Sequence, residues 1–359
     1  MKKTTKIIYI VVFFAAILAP LLLTLGGIKS PNYEKRTLAE APVLVTEEGI
    51  NKAYTQDFDD YFSDNFALRP YFVTAYAKLV SGVFGTSVSP KVVIGQNDFL
   101  YFSETLPTYQ GQDLLTDEEL KQICEKLKRH QDALEAQGKA FFFTVAPDKN
   151  TIYPEYMPSR YVRYTGESNM TRLLAKMNEY GIHTVDMTDA LMQAKQVDQV
   201  YHNWDTHWNN FGAVVGYTEM MKKTAELVAG DTSVDFINMD YTKANTHTGD
   251  LFTMLYPASG KKDVQMVYSF EKTYTSERPI VNLEALEIVT ENENADTRAL
   301  IFRDSFFNAL IPFFSESFSY VQYNRGVPYD FGLAESTDAD VVILEIVERN
   351  IPLLLENIQ

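Results

Sequence analysis

The chain has 359 residues, 46% hydrophobic and 22% charged, the balance of a globular protein that buries its own core in one elaborated domain with short appendages. Its formal net charge is −16, and setting aside Lys2, Lys3 and Lys6 leaves 29 basic against 48 acidic side chains, a net −19 over residues 29–359. Such a surface repels phosphate backbones and anionic lipid alike, which excludes nucleic-acid binding and leaves a covalent tether as the route to a membrane.

Residues 7–28, Ile7 to Ile28, carry no charge and follow the basic flank Lys2, Lys3, Lys6. At about 1.5 Å per residue the run crosses a hydrocarbon core of about 30 Å, and the flank predicts a cytoplasmic amino terminus with the remainder outside. A cleavable signal peptide is the competing reading. Its apolar region is usually only about 7–15 residues, and Leu25-Gly26-Gly27-Ile28-Lys29-Ser30 is a poor cleavage site. The expected organisation is a cytoplasmic stub and transmembrane anchor over 1–28, a tether with Pro31 and Pro42 over 29–45, and an extracytoplasmic domain over 46–359.

From Thr46 to about Phe84, Phe58, Tyr61, Phe62, Phe66, Phe72, Tyr76 and Leu79 recur at helical spacing, so helices broken near Pro70 are expected. Val92–Gly95 and Phe99–Phe102 bracket Gln96-Asn97-Asp98 as a hairpin would. Thr116 with Glu119 forms a capping box for a helix running to about Gln137, and Cys124, the single cysteine, falls on its apolar face as a buried structural thiol. An apolar strand Ala140–Val145, a helix Ser168–Tyr180, a strand His183–Val185 and a helix Phe211–Val228 follow. Over 231–297 the pattern is less regular, with strands expected near Val264–Phe270 and Ile280–Val289 and a solvated acidic loop at Glu291–Asp296. Strands Ala299–Phe302, Ser319–Tyr323 and Val341–Ile346, a helix Phe306–Phe314 and a terminal helix Ile351–Asn357 complete the order. This alternation predicts an α/β fold: a doubly wound, mostly parallel sheet with helices on both faces.

In such sheets sites gather beyond the carboxyl ends of strands. That rule selects Lys149 after one strand, Arg303-Asp304-Ser305 after another, Asn324 after a third and Glu348-Arg349 after the last. Ser305, at a strand-to-helix turn, suits either a nucleophile flanked by helix amides or a plain helix cap. A nucleophilic serine needs a base, and the segment from Tyr201 to Ala213 supplies Asp205 and His207 two residues apart, flanked by Trp204 and Trp208, the only tryptophans. A helix-capping cluster is the bland reading of that segment. His202, Asp205 and His207, with His247 and Asp250, are also of metal-ligand type, but no strong metal spacing occurs and no metal or cofactor is expected. His130 and His183 read as incidental, and most of the 23 Phe and 22 Tyr as core.

Asp205-Thr206-His207-Trp208 with Gly212-Ala213 resembles the Asp-x-His-Trp motif of alginate O-acetyltransferase-type SGNH hydrolase-like domains, and the chain is similar to the DHHW family of bacterial surface proteins. Supporting blocks are Asp64–Arg69, Pro147-Asp148-Lys149, Tyr153-Pro154-Glu155, Gly249-Asp250-Leu251, Arg303–Phe306 and Glu345–Arg349. The resemblance implies an SGNH-like fold in which Ser305 is nucleophile, His207 base and Asp205 its orienter, the Asp-His pair preceding the serine. Arg303 stands where the usual SGNH block has glycine, so a tight turn beside the oxyanion site is lost. Asn324, Lys149, Arg303 and Trp208 are the candidates for oxyanion or substrate contacts. The implied activity is O-acyl transfer, in first place acetyl, onto a cell-surface polysaccharide, with a membrane-bound O-acyltransferase as donor partner. An esterase using the same residues, and a non-catalytic glycan-binding or scaffold module, are the alternatives.

Overall fold

The computed structural model describes residues 3–28, 32, 37–47, 49–230, 233–276, 278–280 and 282–359; Lys2 of the basic flank and Pro31 of the expected tether lie outside the described residues. The chain divides into two compact units, residues 1–93 with 250–261, and residues 94–249 with 262–359.

The first unit opens with helix α1, Lys3–Leu25, whose Thr4–Leu25 stretch is long and apolar enough to cross a membrane and almost entirely unburied. A short hairpin of β1 (Val45–Thr46) and β2 (Gly49–Ile50) stands where periodicity predicts the start of a helix. Helices α2 (Tyr54–Asn65) and α3 (Arg69–Phe84) follow. The break between them lies at Phe66–Leu68, where Leu68 adopts φ 70°, ahead of Pro70. Pro70 instead occupies the first turn of α3, where a missing N–H leaves no helical bond unmade. The expected break near Pro70 is therefore present, with the proline on its downstream side.

Strand β3 (Val92–Ile94) carries the chain from the first unit into the second, whose first turn is closed by Gly95 N–H donating to the Phe99 carbonyl at 2.8 Å and leads to β4 (Leu100–Phe102). The Thr116–Glu119 capping box is formed, and helix Asp117–Glu135 follows it. The remaining strands are β5 (Ala140–Ala146), β6 (Thr184–Asp186), β7 (Tyr241–His247), β8 (Asp263–Tyr268), β9 (Thr275–Ser276), β10 (Glu287–Glu291), β11 (Arg298–Phe302), β12 (Tyr320–Asn324) and β13 (Val341–Val347). Seven of them form a sheet in the order β6-β5-β13-β11-β12-β10-β9. It is parallel from β6 to β12 and antiparallel through β12, β10 and β9.

Alternate residues of the central strands serve opposite layers. Phe141, Phe143, Val145 and Leu344 pack with Ile123, Leu127, Leu173 and Met177 of helices Asp117–Glu135 and Asn169–Glu179. Helix Asn210–Leu227 also packs against β5 and β6. Cys124 is fully buried in the first of these layers, and burial raises its thiol to about 12. The expected α/β architecture with its mostly parallel sheet is therefore present.

Three differences from the sequence reading have local causes. The helix expected over Phe306–Phe314 is a 3-10 turn, Phe306–Ala309, followed by helix Ile311–Ser317 with Pro312 in its first turn. Of the strand expected near Ile280–Val289, only Glu287–Glu291 pairs, and Val281 lies outside the described residues. The antiparallel hairpin β7–β8 is the third, its first strand so polar and half-exposed that no period of two apolar residues marks it.

Candidate active site

Asp205 and His207 lie on the loop that leads into helix Asn210–Leu227, and polar bonds from several sides pin that loop. An isolated antiparallel bridge pairs Tyr201 with Trp208. Asn209 caps the helix by accepting from Gly212 N–H at 3.0 Å, while its Nδ2 donates to the Gln199 carbonyl at 2.6 Å. Gly212 is required by close approach, since a Cβ there would sit 2.1 Å from the Val200 carbonyl oxygen. Gly249 is similarly constrained, 2.3 Å separating its notional Cβ from the Trp204 carbonyl oxygen. Lys149, 3% exposed, donates from Nζ to the carbonyls of Leu100, Asn203 and Asp205 at 2.7, 2.8 and 3.0 Å.

The β7–β8 hairpin holds the same loop from another side. Asp263 accepts from Trp204 N–H at 2.8 Å, and Gln265 Oε1 accepts from Asn210 N–H at 3.1 Å. His202 Nδ1 donates to the Val264 carbonyl at 2.9 Å, and its ring stacks on His247 with centroids 3.7 Å apart. Burial, with His247 nearby, lowers the His202 imidazole to about 3.

Ser305 follows β11. The turn that presents it is fixed by Asp304, whose Oδ1 accepts from Phe306 N–H at 2.8 Å and Oδ2 from Val347 N–H at 2.7 Å, tying β11 to the end of β13. Beneath it, burial first and then the Asp304 charge hold the Glu345 carboxyl well above the usual carboxylate range. Ser305 makes no capping bond to the 3-10 turn that follows. Its Oγ lies 2.9 Å from His207 Nε2.

His207 Nδ1 lies 2.7 Å from Asp205 Oδ1, which also accepts from the His207 backbone N–H at 3.0 Å. Asp205 Oδ2 lies 2.8 Å from His247 Nε2. A carboxylate only accepts, so both imidazoles donate to it, and His207 is left with its Nε2 lone pair toward the serine hydroxyl. Burial alone would raise the Asp205 carboxyl, but the hydrogen bonds and charges of His207 and His247 outweigh it and hold it well below the ordinary range. Trp208 Nε1 donates to the Phe306 carbonyl at 2.9 Å, and the Phe306 ring lies 4.8 Å from that of His207.

A cleft of about 470 Å³ opens on this line of groups, within the usual size of small-ligand sites. Ser305, His207, Asp205, Trp208 and His247 line it, with aromatic faces from Tyr268, Phe270 and Phe313. Three candidates from the sequence lie outside that lining. Lys149 is occupied by the three carbonyls. Asn324 accepts from Gly326 N–H at 2.7 Å and from Arg303 N–H through its carbonyl at 2.9 Å. Arg303, 2% exposed and lowered by burial to about 10, donates to Asn308 Oδ1 at 2.6 Å and to the Leu283 carbonyl at 2.8 Å. Sequence reasoning weighed His247 only as a metal ligand and gave Asp304 no task; strand-end position was a signal for the second, and nothing local marked the first.

Residues 92–285 match the family described as SGNH hydrolase-like domain, acetyltransferase AlgX. The match takes in Asp205, His207 and His247 and ends before Ser305. "Probable alginate O-acetylase AlgJ" of Pseudomonas syringae pv. tomato is 25% identical over 256 residues, 71% of this chain and 61% of that protein. The chain thus spans about three fifths of the length of the curated relatives it matches. Among solved structures, Bacillus cereus PatB1 superposes with a TM-score of 0.57 at 19% identity, covering 72% of this chain and 96% of that one. A DHHW family protein from Eubacterium siraeum gives 0.52 at 16% identity, covering 75% and 98%. These two likenesses are of fold. With more than half of its length matched, the chain belongs to the family of SGNH hydrolase-like, AlgX-type acetyltransferase domains.

Proposed function

We propose that this protein is a serine-dependent O-acetyltransferase that modifies a polysaccharide outside the cell membrane. What supports the reading most is the unbroken line of hydrogen bonds from Ser305 Oγ through His207 to Asp205, at 2.9 and 2.7 Å, at the mouth of a cleft. The matched relatives carry names that specify alginate O-acetylation, which motivates the acyl group and the polymer class.

The chemistry follows from the geometry. His207 Nε2 takes the Ser305 hydroxyl proton as Oγ attacks the acyl carbonyl of a donor. The tetrahedral intermediate collapses, the leaving group of the donor receives the proton, and an acyl ester remains on Ser305. A sugar hydroxyl then gives its proton to His207 and attacks the acyl carbon, and Ser305 Oγ departs with the proton returned. The Ser305 backbone N–H is the proposed oxyanion donor, held by the Asp304 staple. Asp205 keeps His207 in the tautomer that presents Nε2 to the serine.

In this reading residues 1–28 anchor the protein with its amino terminus inside, 29–45 form the tether, and a membrane-bound O-acyltransferase delivers acetyl groups to the outer face. The apolar helix Thr4–Leu25 supports an anchor or signal. The test is turnover of 4-nitrophenyl acetate by the detergent-solubilised chain, with fluorophosphonate labelling. Loss of both in Ser305→Ala is expected; labelling that persists in Ser305→Ala would place the reactive group elsewhere.

A further inference from the structure

We infer that His247 is a positioning residue for the Asp205–His207 pair: it fixes the rotation of the Asp205 carboxylate and draws charge from its second oxygen, and so sets both the aim and the basicity of His207. The inference rests on the Ser305–His207–Asp205 reading and adds a fourth member to it.

The geometry carries the argument. Asp205 is 4% exposed, and each of its oxygens faces an imidazole, Oδ1 toward His207 Nδ1 at 2.7 Å and Oδ2 toward His247 Nε2 at 2.8 Å. A carboxylate gripped at one oxygen keeps freedom to rotate about its Cβ–Cγ bond; gripped at both, it does not. His247 is itself aimed from two directions. The β7–β8 register shifts between Asn245 and His247, an irregularity of the kind that re-directs a side chain beside a site. The ring then stacks on His202 at an interplanar angle of 5°, and His202 is anchored through Nδ1 to the Val264 carbonyl. A structural imidazole needs neither the carboxylate contact nor a place in the cleft lining, and His247 has both.

The electrostatic consequence has a definite sign. A donor on Oδ2 lowers the negative charge available at Oδ1 and thereby weakens stabilisation of the His207 imidazolium. Within the same unit, the charged and titratable groups around the pair include Asp205, His202 and His207, Asp263 opposite His247 on β8, Lys149 behind the loop, and Glu284, whose charge is felt by His207. Truncating His247 to Leu removes the imidazole donor from Oδ2. His207 then titrates at higher pH, and the acid limb of the rate profile moves up.

The experiment compares His247→Leu, His247→Asn and His247→Gln with wild type and Ser305→Ala in the full-length chain. It measures kcat and KM for 4-nitrophenyl acetate between pH 5 and pH 9, per fluorophosphonate-reactive site. Glutamine places an N–H donor where the imidazole Nε2 was, and asparagine is too short to do so. The expected result is a fall in kcat of about tenfold or more in the Leu and Asn variants, little change in KM, and an upward shift of the acid limb of about half a pH unit or more. His247→Gln is expected to restore kcat to within about threefold of wild type with the limb in its original position. Equal kcat and equal limbs in all three variants, with Ser305→Ala inactive, would overturn the role of His247 and leave the serine reading standing. Equal losses in all three with no movement of the limb would overturn it too, marking His247 as packing only. Turnover that survives in Ser305→Ala would instead remove the reading on which the inference rests.

Discussion

The two sides of the site are built in different ways. Ser305 rides on the end of a buried parallel strand, and two carboxyl side chains, Asp304 just past that strand and Glu345 within β13, hold its turn. Asp205 and His207 sit on an irregular loop whose shape depends on single polar contacts from Lys149, Asn209, Asp263 and Gln265. The fold supplies the position of the proposed nucleophile almost for free, because sheet register fixes it. The position of the proposed base is assembled contact by contact, so it is the side more easily broken by one substitution.

The sharpest test of that contrast is chemical. Ser305→Ala and His207→Ala are both expected to lower kcat by roughly a thousandfold or more, since residues that act as a unit fail together; combining them should add little, and a multiplicative double mutant would show that the two do not work on one step. Lys149→Met comes next. It strips a buried cation from three carbonyls, and unfolding by urea should report a loss of about 2–4 kcal/mol together with reduced turnover. Gly249→Ala should follow at about 1–3 kcal/mol, because its methyl group collides with the Trp204 backbone and displaces the loop. Away from the loop, Thr116→Ala removes a helix cap and should cost about 1 kcal/mol with kcat unchanged. A kcat loss there equal to that of Gly249→Ala would erase the distinction between loop and scaffold.

The pH dependence of stability reports on the loop side. His202 has its folded value lowered to about 3 from an ordinary 6.5. In that window the unfolded chain binds more protons than the native one, so stability falls as pH drops from about 6.5 toward 3, by up to about 1.4 kcal/mol per pH unit for this residue. Urea melts at pH 7.5 and 5.5 should show a smaller difference in His202→Gln than in wild type. Asp205, held low in the native state, contributes stability that is present above the ordinary carboxylate range and is lost only at still lower pH.

The same contrast explains what could be read in advance. β5, β11 and β13 are runs of apolar residues bounded by turn formers, and both their existence and the residues at their ends were legible, Ser305 among them. The Asp205–His207 spacing was visible as a motif, but what holds it was not. Lys149 and Asn324 follow strand ends as oxyanion candidates would, yet the lysine serves backbone carbonyls and the asparagine serves its own turn. His247 was hidden because β7 alternates no apolar residues, and a contact across 42 positions leaves no local trace. The helix break near Pro70 was legible as well; phase alone did not show that Pro70 sits inside the first turn of α3.

Cys124 carries a consequence for the life of the protein. A lone thiol, fully buried and held protonated, offers no thiolate for exchange or oxidation. Folding of this sequence therefore calls for no thiol oxidant and no disulfide exchange, and the thiol–disulfide balance of its surroundings does not reach it through this residue.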